Sequence, residues 1–463
     1  NPTEVLPMCS WQVKDGIKTP LTDGERLLID NENERMAGDA LRVLGVAYTY
    51  SDNGGQEDYH SNKDLIWLGL VGMMDPIRKG VKEAISVFHQ AGIETVMITG
   101  DQSPTAYAIG KELNLSRGET LEILDSTHLS NLDPDVMTAL ARKVNVFARV
   151  SPANKLTIVQ SLQKAQKVVA MTGDGINDGP ALKVADIGIA MGHSGTDVAR
   201  EVAAVVLEDD NLETMIIAVS QGRTIYNNIR KSVHFLLATN MSEIIVMFTA
   251  IAGGMGHPLN AMQLLWINLV SDIFPGLALA LEPPEPDILK RPPRNPAEPI
   301  VRTSDYKRIA FESAMQSVSS LGSYGYGILR YGMGPRAGTL AFMSLTTSEL
   351  LHALSCRSEK HSIFDRMTGQ SPLQPNKYLT IALGGSLTLQ ALTVLIPGLR
   401  TLLGITPINV VDGFVIGGSA FLSFVVNEIT KNRVFSGQPA IDSQKQNVEA
   451  GCQKSEGNSF TKT

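Results

Sequence analysis

A chain of 463 residues has room for about two or three domains, and a formal net charge of -7, with no basic cluster in its first half, excludes nucleic acid as a natural partner. Its three cysteines, Cys9, Cys356 and Cys452, are too widely spaced to read as a metal motif or a disulfide framework. The composition, 43% hydrophobic and 19% charged, averages two unlike halves: residues 1–232 read as soluble, whereas from Val233 the apolar runs reach membrane-spanning length. The chain starts at Asn1 with residues that read as the middle of a domain, so it is expected to be a piece of a longer protein.

In chain order, apolar runs occur at residues 66–75 (IWLGLVGMMD), 94–99 (ETVMIT), 144–148 (VNVFA), 167–172 (KVVAMT), 187–191 (IGIAM) and 204–208 (AVVLE). Helical patterns such as RKGVKEAISVFHQAG and SPANKLTIVQSLQKAQ separate the earlier ones. This alternation predicts an α/β domain with a parallel sheet flanked by helices. Ligands of such sheets gather beyond the carboxyl ends of the strands, where two polar clusters fall: Thr99-Gly100-Asp101 and the TGDGIND segment at 172–178. A lone TGD is commonly a helix-capping turn; two such clusters, each behind its own strand, point to a site. Asp174 and Asp178 are four residues apart, so a helix starting there turns both carboxylates toward one point. Hard oxygen ligands of this kind suit Mg2+ beside a phosphate. Thr99 and Gly100 offer a hydroxyl and a backbone N–H to phosphate oxygens, and Lys155 a charge to neutralise them. Phosphoryl chemistry has every part here except a nucleophile.

No proline interrupts residues 181–257, and about 212–252 reads as one helix of about 60 Å at ~1.5 Å per residue. Six windows are long and apolar enough to cross a bilayer: about 233–253, 262–281, 309–329, 338–356, 378–398 and 411–430, the third and fourth weakened by Ser, Gly and Thr. Lys290, Arg291, Arg294, Arg302, Lys307 and Arg308 in one loop, and Arg357, Lys360, Arg366 and Lys377 in another, place both ends in the cytoplasm by the positive-inside rule. The tail from about 436 reads as disordered.

Carboxylates inside such windows are costly and mark ion paths. Asn240 and Glu243, three apart, share a helix face in the first window; Asn268, Ser271 and Asp272 share one in the second. Glu349 adds a third acid in the fourth. Acids that merely join helices are the bland alternative. Pro275 cannot donate to the Ser271 carbonyl four residues earlier, which predicts an unwound backbone lining the site.

The segments MITGD, FARVSPANK, MTGDGINDGPALKVADIGIAMG and GRTIYNNIRK resemble the phosphorylation domain and stalk of the P-type cation-transporting ATPases, over residues 1 to about 433. That resemblance implies a haloacid-dehalogenase-like fold over 66–211, the end of a nucleotide-binding domain over 1–65, and a stalk with six transmembrane helices over 212–435. It implies an aspartate, in a DKTGT motif, phosphorylated by ATP with Mg2+; no DKTGT occurs in this sequence. Asp174 is then expected to hold Mg2+ with Asn177 and Asp178 in support, Thr99, Gly100, Asp101 and Lys155 to line the phosphate, Arg149 to lie nearby, and Arg42 to contact nucleotide. Gly179 stands where the family usually has alanine, removing no ligand. NMSEII, WINLVSDIFP and TTSELLHALS resemble the calcium-pump branch, in which Asn240, Glu243, Asn268, Ser271, Asp272 and Glu349 are expected to bind the transported cation. Mn2+ or a monovalent cation, a membrane-anchored phosphatase of the haloacid-dehalogenase group, and an inactive truncated regulator stand as alternatives.

Overall fold

The computed structural model describes residues 1–14, 16–39, 41–49, 65–73, 77–127, 133–359, 361–362 and 373–431. They form two compact units, Asn1–Val219 with Leu289–Pro293 and Ser220–Ile288 with Arg294–Thr463. The tail from about 436, Cys452, Lys360 and Arg366 lie outside the described residues.

The first unit opens with α1 (Pro2–Val5) and a mixed sheet of β1 (Cys9–Lys14), β2 (Ile17–Pro20), β3 (Arg42–Tyr48) and β4 (Leu65–Met73) in the order β2-β1-β4-β3. Helix α2 (Asp23–Gly38) starts with a reciprocal cap in which the Glu25 amide donates to Thr22 Oγ1 and the Thr22 amide to the Glu25 carboxylate. The apolar run from residue 66 was expected to belong to the later parallel sheet. Instead β4 sits between β1 and β3, parallel to the former and antiparallel to the latter. The reason is packing: Trp67 lies across Gly45, where an added Cβ would come within 2.6 Å of its ring, and joins Leu6, Cys9 and Leu21 in the core beneath the sheet. An apolar run marks a strand without marking its partner.

The rest of this unit alternates strands and helices: α3 (Val81–Gln90), β5 (Met97–Ile98), α4 (Ser103–Glu112), β6 (Ile123–Asp125), α5 (Pro134–Ala141), β7 (Val146–Ala148), α6 (Pro152–Lys164), β8 (Ala170–Gly173), α7 (Gly179–Val184), β9 (Ile187–Met191), α8 (Asp197–Val202) and β10 (Val205–Leu207). The strands are parallel, as predicted, but they form two three-stranded sheets, β5-β7-β6 and β10-β9-β8, rather than one. The short strand β6 was not predicted. Ile98 on β5 packs against both the Phe147–Ile158 cluster and the Met171–Leu182 cluster, so the two sheets share a core although β5 and β8 are both sheet edges.

In the second unit α9 (Leu212–Ala252) is one unbroken helix with the predicted limits, and the boundary between the units falls within it. The second apolar window departs from expectation: α10 (Ala261–Trp266) passes into a π-helical turn at Ile267–Asp272 and then α11 (Ile273–Ala280). Because Pro275 has no N–H for the Ser271 carbonyl, the ladder widens there, and the predicted unwinding is a π-turn. Two long helices follow, α12 (Thr303–Tyr331) and α13 (Pro335–Ser355). The fifth window overran its helix, Lys377–Leu395, because Ile396 is extended ahead of Pro397, which starts a separate short helix. Helix Val410–Lys431 completes the described chain.

Among the described residues, four helices, Leu212–Ala252, Ala261–Ala280, Lys377–Leu395 and Val410–Lys431, are long and apolar enough to cross a membrane. Helices α12 and α13 are long enough but more polar, and several of their serines bond neighbouring helices. Ser320 donates to the Ala341 carbonyl (3.1 Å), Ser344 meets Ser419 (2.9 Å), and Ser317 donates to the Ser242 carbonyl (3.1 Å). At Gly327 an added Cβ would lie 2.8 Å from Ala337 Cα, which marks backbone-to-backbone packing by small residues.

Candidate functional site

Edges β5 and β8 face one cavity of about 410 Å3. Met97 and Ile98 line one side and Met171, Thr172 and Gly173 the other, with Lys155, Asp174 and Asp178 among its polar lining residues. Helix α6 presents Lys155 from its first turns: Ser151 caps it by accepting from the Asn154 amide, and Pro152 supplies a pre-set φ at its start. Lys155 Nζ reaches the buried Asp178 Oδ1 at 2.6 Å, while the Gly175 amide donates to Asp178 Oδ2 at 3.3 Å. Gly173 is required here, because a Cβ would stand 2.8 Å from the Asp178 carboxyl carbon.

Asp174 and Asp178 share the cavity but not a helix face. A 3-10 turn at Ile176–Asp178 intervenes, leaving Asp174 and Asn177 exposed and Asp178 inside. Only Asp174 therefore offers a carboxylate that no described side chain holds, an arrangement suited to an ion such as Mg2+ that keeps most of its waters. Thr99, Gly100 and Asp101 follow β5 but are not among the cavity's lining residues. The Thr99 hydroxyl donates to Asp101 (2.7 Å) and accepts from the Asp101 amide (3.1 Å), the capping turn that such a tripeptide commonly makes. The main chain of Arg149 and Val150 ties to this turn, since their amides donate to the Asp101 and Thr99 carbonyls. The Arg149 side chain lies 3.6 Å from Asp125. Burial pushes the Asp125 carboxyl up, but hydrogen bonds from Ser103 and Thr127, with Arg149 beside it, outweigh burial and hold it below the ordinary aspartate value. Arg42 opens β3, exposed, in the other sheet.

In the helical unit the three acids are gathered. Glu243 on α9, Asp272 at the end of the π-turn and Glu349 on α13 are 7%, 2% and 0% exposed. Each keeps one oxygen without a hydrogen-bond partner among the described residues (Glu243 Oε1, Asp272 Oδ1 and Glu349 Oε2), as does the buried Ser271 hydroxyl. Asn240 and Asn268 are brought only to the edge. Both are exposed; their amides donate to the Leu236 and Leu264 carbonyls, Asn240 also reaches Asp272 at 3.4 Å, and the Asn268 side chain also hydrogen-bonds Glu243. The predicted common face of Asn268, Ser271 and Asp272 is split because a π-turn takes more residues per revolution than the 3.6 assumed for an α-helix.

Two further residues belong to this cluster and were not singled out in the sequence. Thr239 donates to Asp272 Oδ2 (3.2 Å), and Ser242 donates to Glu349 Oε1 (3.5 Å). Their signal was helical spacing: Thr239, Ser242 and Glu243 recur at i, i+3 and i+4 on one turn of α9. A second overlooked set ties the middle of α9 and the end of α13 to neighbouring loops and helix starts, with Lys231 bound to Glu285 (2.8 Å), Arg230 to Asp305 (2.8 Å) and Arg357 to Glu282 (2.7 Å).

A family model described as "Cation transporting ATPase, C-terminus" matches residues 256–433, and one described as "P-type ATPase, cytoplasmic domain N" matches residues 1–80. The chain is 38% identical over 445 residues to a protein named "Calcium-transporting ATPase 1" of Bacillus cereus, covering 92% of this chain and 49% of that protein. It is 40% identical over 418 residues to the "Calcium-transporting ATPase" of Bacillus subtilis (87% and 46%), and 35% identical over 428 residues to "Calcium-transporting ATPase type 2C member 1" of Homo sapiens (92% and 45%). The chain spans about half the length of the curated relatives it matches. By these matches, which together run from the first sheet through the last described helix, the chain belongs to the P-type cation-transporting ATPases and is calcium-pump-like within them.

Proposed function

We propose that this chain is the C-terminal part of an ATP-driven pump that carries Ca2+ through an aspartyl-phosphate intermediate. The observation that carries the proposal is the buried convergence of Glu243, Ser271, Asp272 and Glu349, each with an oxygen that nothing described satisfies. Leaving carboxylate oxygens unpaired among apolar helices costs several kcal/mol. Such an arrangement is retained where a cation completes it, and an all-oxygen set suits a hard ion such as Ca2+. Asn240 and Asn268, at the edge, would turn their amide oxygens inward when that ion binds.

In the first unit the edge strands β5 and β8 are spaced around a cavity that a further strand would fill, joining the two sheets into one haloacid-dehalogenase-like sheet. On this reading the phosphorylated aspartate arrives on that strand, between Thr99 and Asp174. Lys155 and the Gly175 amide hold Asp178 in place, Asp174 would hold Mg2+ with Asn177 beside it, and Mg2+ when bound would neutralise charge on the transferring phosphoryl group. Thr99, Gly100 and Asp101 would contact the phosphate, with Arg149 near it, and Arg42 would contact ATP. Helix α9, continuous from one unit into the other, transmits the change to six membrane helices whose two ends face the cytoplasm.

The test is phosphoenzyme formation from ATP by the intact protein as Ca2+, Mn2+, Na+ and pH are varied in turn. Phosphorylation that depends on Ca2+ and loses that dependence in Glu243→Gln and Asp272→Asn is expected. Equal response to Mn2+ would widen the cargo, and hydrolysis indifferent to every cation would favour the phosphatase reading.

A further inference from the structure

At one end of the second unit lies a cluster that the pump reading does not use. His234 on α9, Glu312 on α12, and His352 and Cys356 at the end of α13 bring four ligand-type atoms together. His234 Nε2 is 2.6 Å from Glu312 Oε2, His352 Nε2 is 3.6 Å from the same oxygen, and Cys356 Sγ is 3.3 Å from His352 Nε2. The ligand atoms of His234, His352 and Cys356 all lie within 4.8 Å of one another. We propose that these four side chains bind a tetrahedral transition-metal ion, zinc by preference.

Zinc bonds of about 2.0–2.3 Å in a tetrahedron separate the ligand atoms by roughly 3.3–3.7 Å. Of the six separations among four ligand atoms, the two at 3.6 and 3.3 Å already fall in that range, the His234–Glu312 pair opens once its hydrogen bond gives way to two metal bonds, and the remaining pairs close as the side chains turn onto the ion. The site is dry: His352 is 1% exposed, Glu312 4% and His234 14%. Arg308 Nε holds the other Glu312 oxygen at 2.7 Å, which aims Oε2 at the histidines, and Phe235 stacks on the His352 ring. The donor set selects the metal. Imidazole nitrogen and thiolate sulfur favour zinc over Ca2+ or Mg2+, which take oxygen. One thiolate and one carboxylate balance the charge of Zn2+, and coordination sends the Cys356 thiol proton to solvent.

The proposal is independent of the pump reading, since it shares no residue with the Glu243–Asp272–Glu349 cluster. The full chain, purified in detergent and stripped of metal by a chelator, is titrated with Co2+ and then with Zn2+. One equivalent of Co2+ is expected to bind with thiolate-to-cobalt charge-transfer absorption, which Zn2+ displaces. Cys356→Ser should abolish the band and weaken Zn2+ binding by more than about 100-fold, beyond the 10–100-fold that loss of a supporting partner causes. His234→Gln keeps the thiol and should weaken Zn2+ similarly, so the inference stays testable if Cys356→Ser fails to fold. The band should survive in Cys9→Ser/Cys452→Ser and in Glu243→Gln/Asp272→Asn. Failure of the chain to take up stoichiometric Co2+, a band that persists in Cys356→Ser, or its loss in either double variant overturns the proposal.

Discussion

The two units bury carboxylates in opposite ways. Asp178 in the first is closed off, one oxygen on Lys155 and the other on the Gly175 amide. Glu243, Asp272 and Glu349 in the second are equally buried, yet each keeps an oxygen open. The first arrangement makes a rigid wall for a cavity, because a paired and hydrogen-bonded carboxylate has one favourable position. The second leaves an uncompensated charge distribution, which on the proposed function a cation would relieve.

The sharpest way to break this contrast is to neutralise one acid of each kind. Asp272→Asn is expected to lower the apparent cation affinity of the intact protein by more than about 100-fold, a loss of about 2.7 kcal/mol of binding. In cation-free buffer it should leave the unfolding temperature of the chain unchanged or raised, since it removes an uncompensated acid. Lys155→Met should behave in the other sense, costing about 2–3 kcal/mol by denaturant unfolding, because it strands Asp178 without its partner. A similar or smaller loss, about 1–3 kcal/mol, is expected for Gly173→Ala, whose methyl group displaces Asp178 from the same bond.

Asp125 extends the comparison to pH. Its folded value lies below its ordinary one, so the stability it contributes is complete above the ordinary aspartate range and is lost as pH falls through the folded value. Asp125→Asn should therefore destabilise the chain near neutral pH and lose its effect in acid, as read from unfolding curves across that range. The smallest effect is expected at Arg42, exposed at the start of β3: Arg42→Ala should change stability by less than about 0.5 kcal/mol. Weaker ATP binding by the intact protein with no change in unfolding would then separate a contact residue from a structural one.

Much of this architecture was legible because strong periodicity needs few contacts to express it. The limits of α9 and the strands β7 to β10 follow from apolar runs and from where proline and glycine fall. Helices α12 and α13 were harder, since hydropathy counts Ser320 and Ser344 as polar without registering that each hydrogen-bonds a neighbouring helix. Spacing among the cysteines does not reveal the zinc candidate, because its other ligands are histidine and glutamate. The readable signal was His352 and Cys356, four apart on one helix turn.

The amino-acid order by itself determined that one half of this protein suits water and the other lipid, that acids would be buried in the second half, and that two TGD segments would lie at the carboxyl ends of strands. Those are consequences of composition and of local repeat, which each stretch carries with it. Only the tertiary structure decided that β4 pairs with β1 and β3, that Asp178 turns inward to Lys155 while Asp174 stays at the surface, and that the ladder before Pro275 widens to separate Asn268 from Asp272. Partner choice and side-chain direction depend on what arrives from distant parts of the chain, and a run of letters does not contain that information locally.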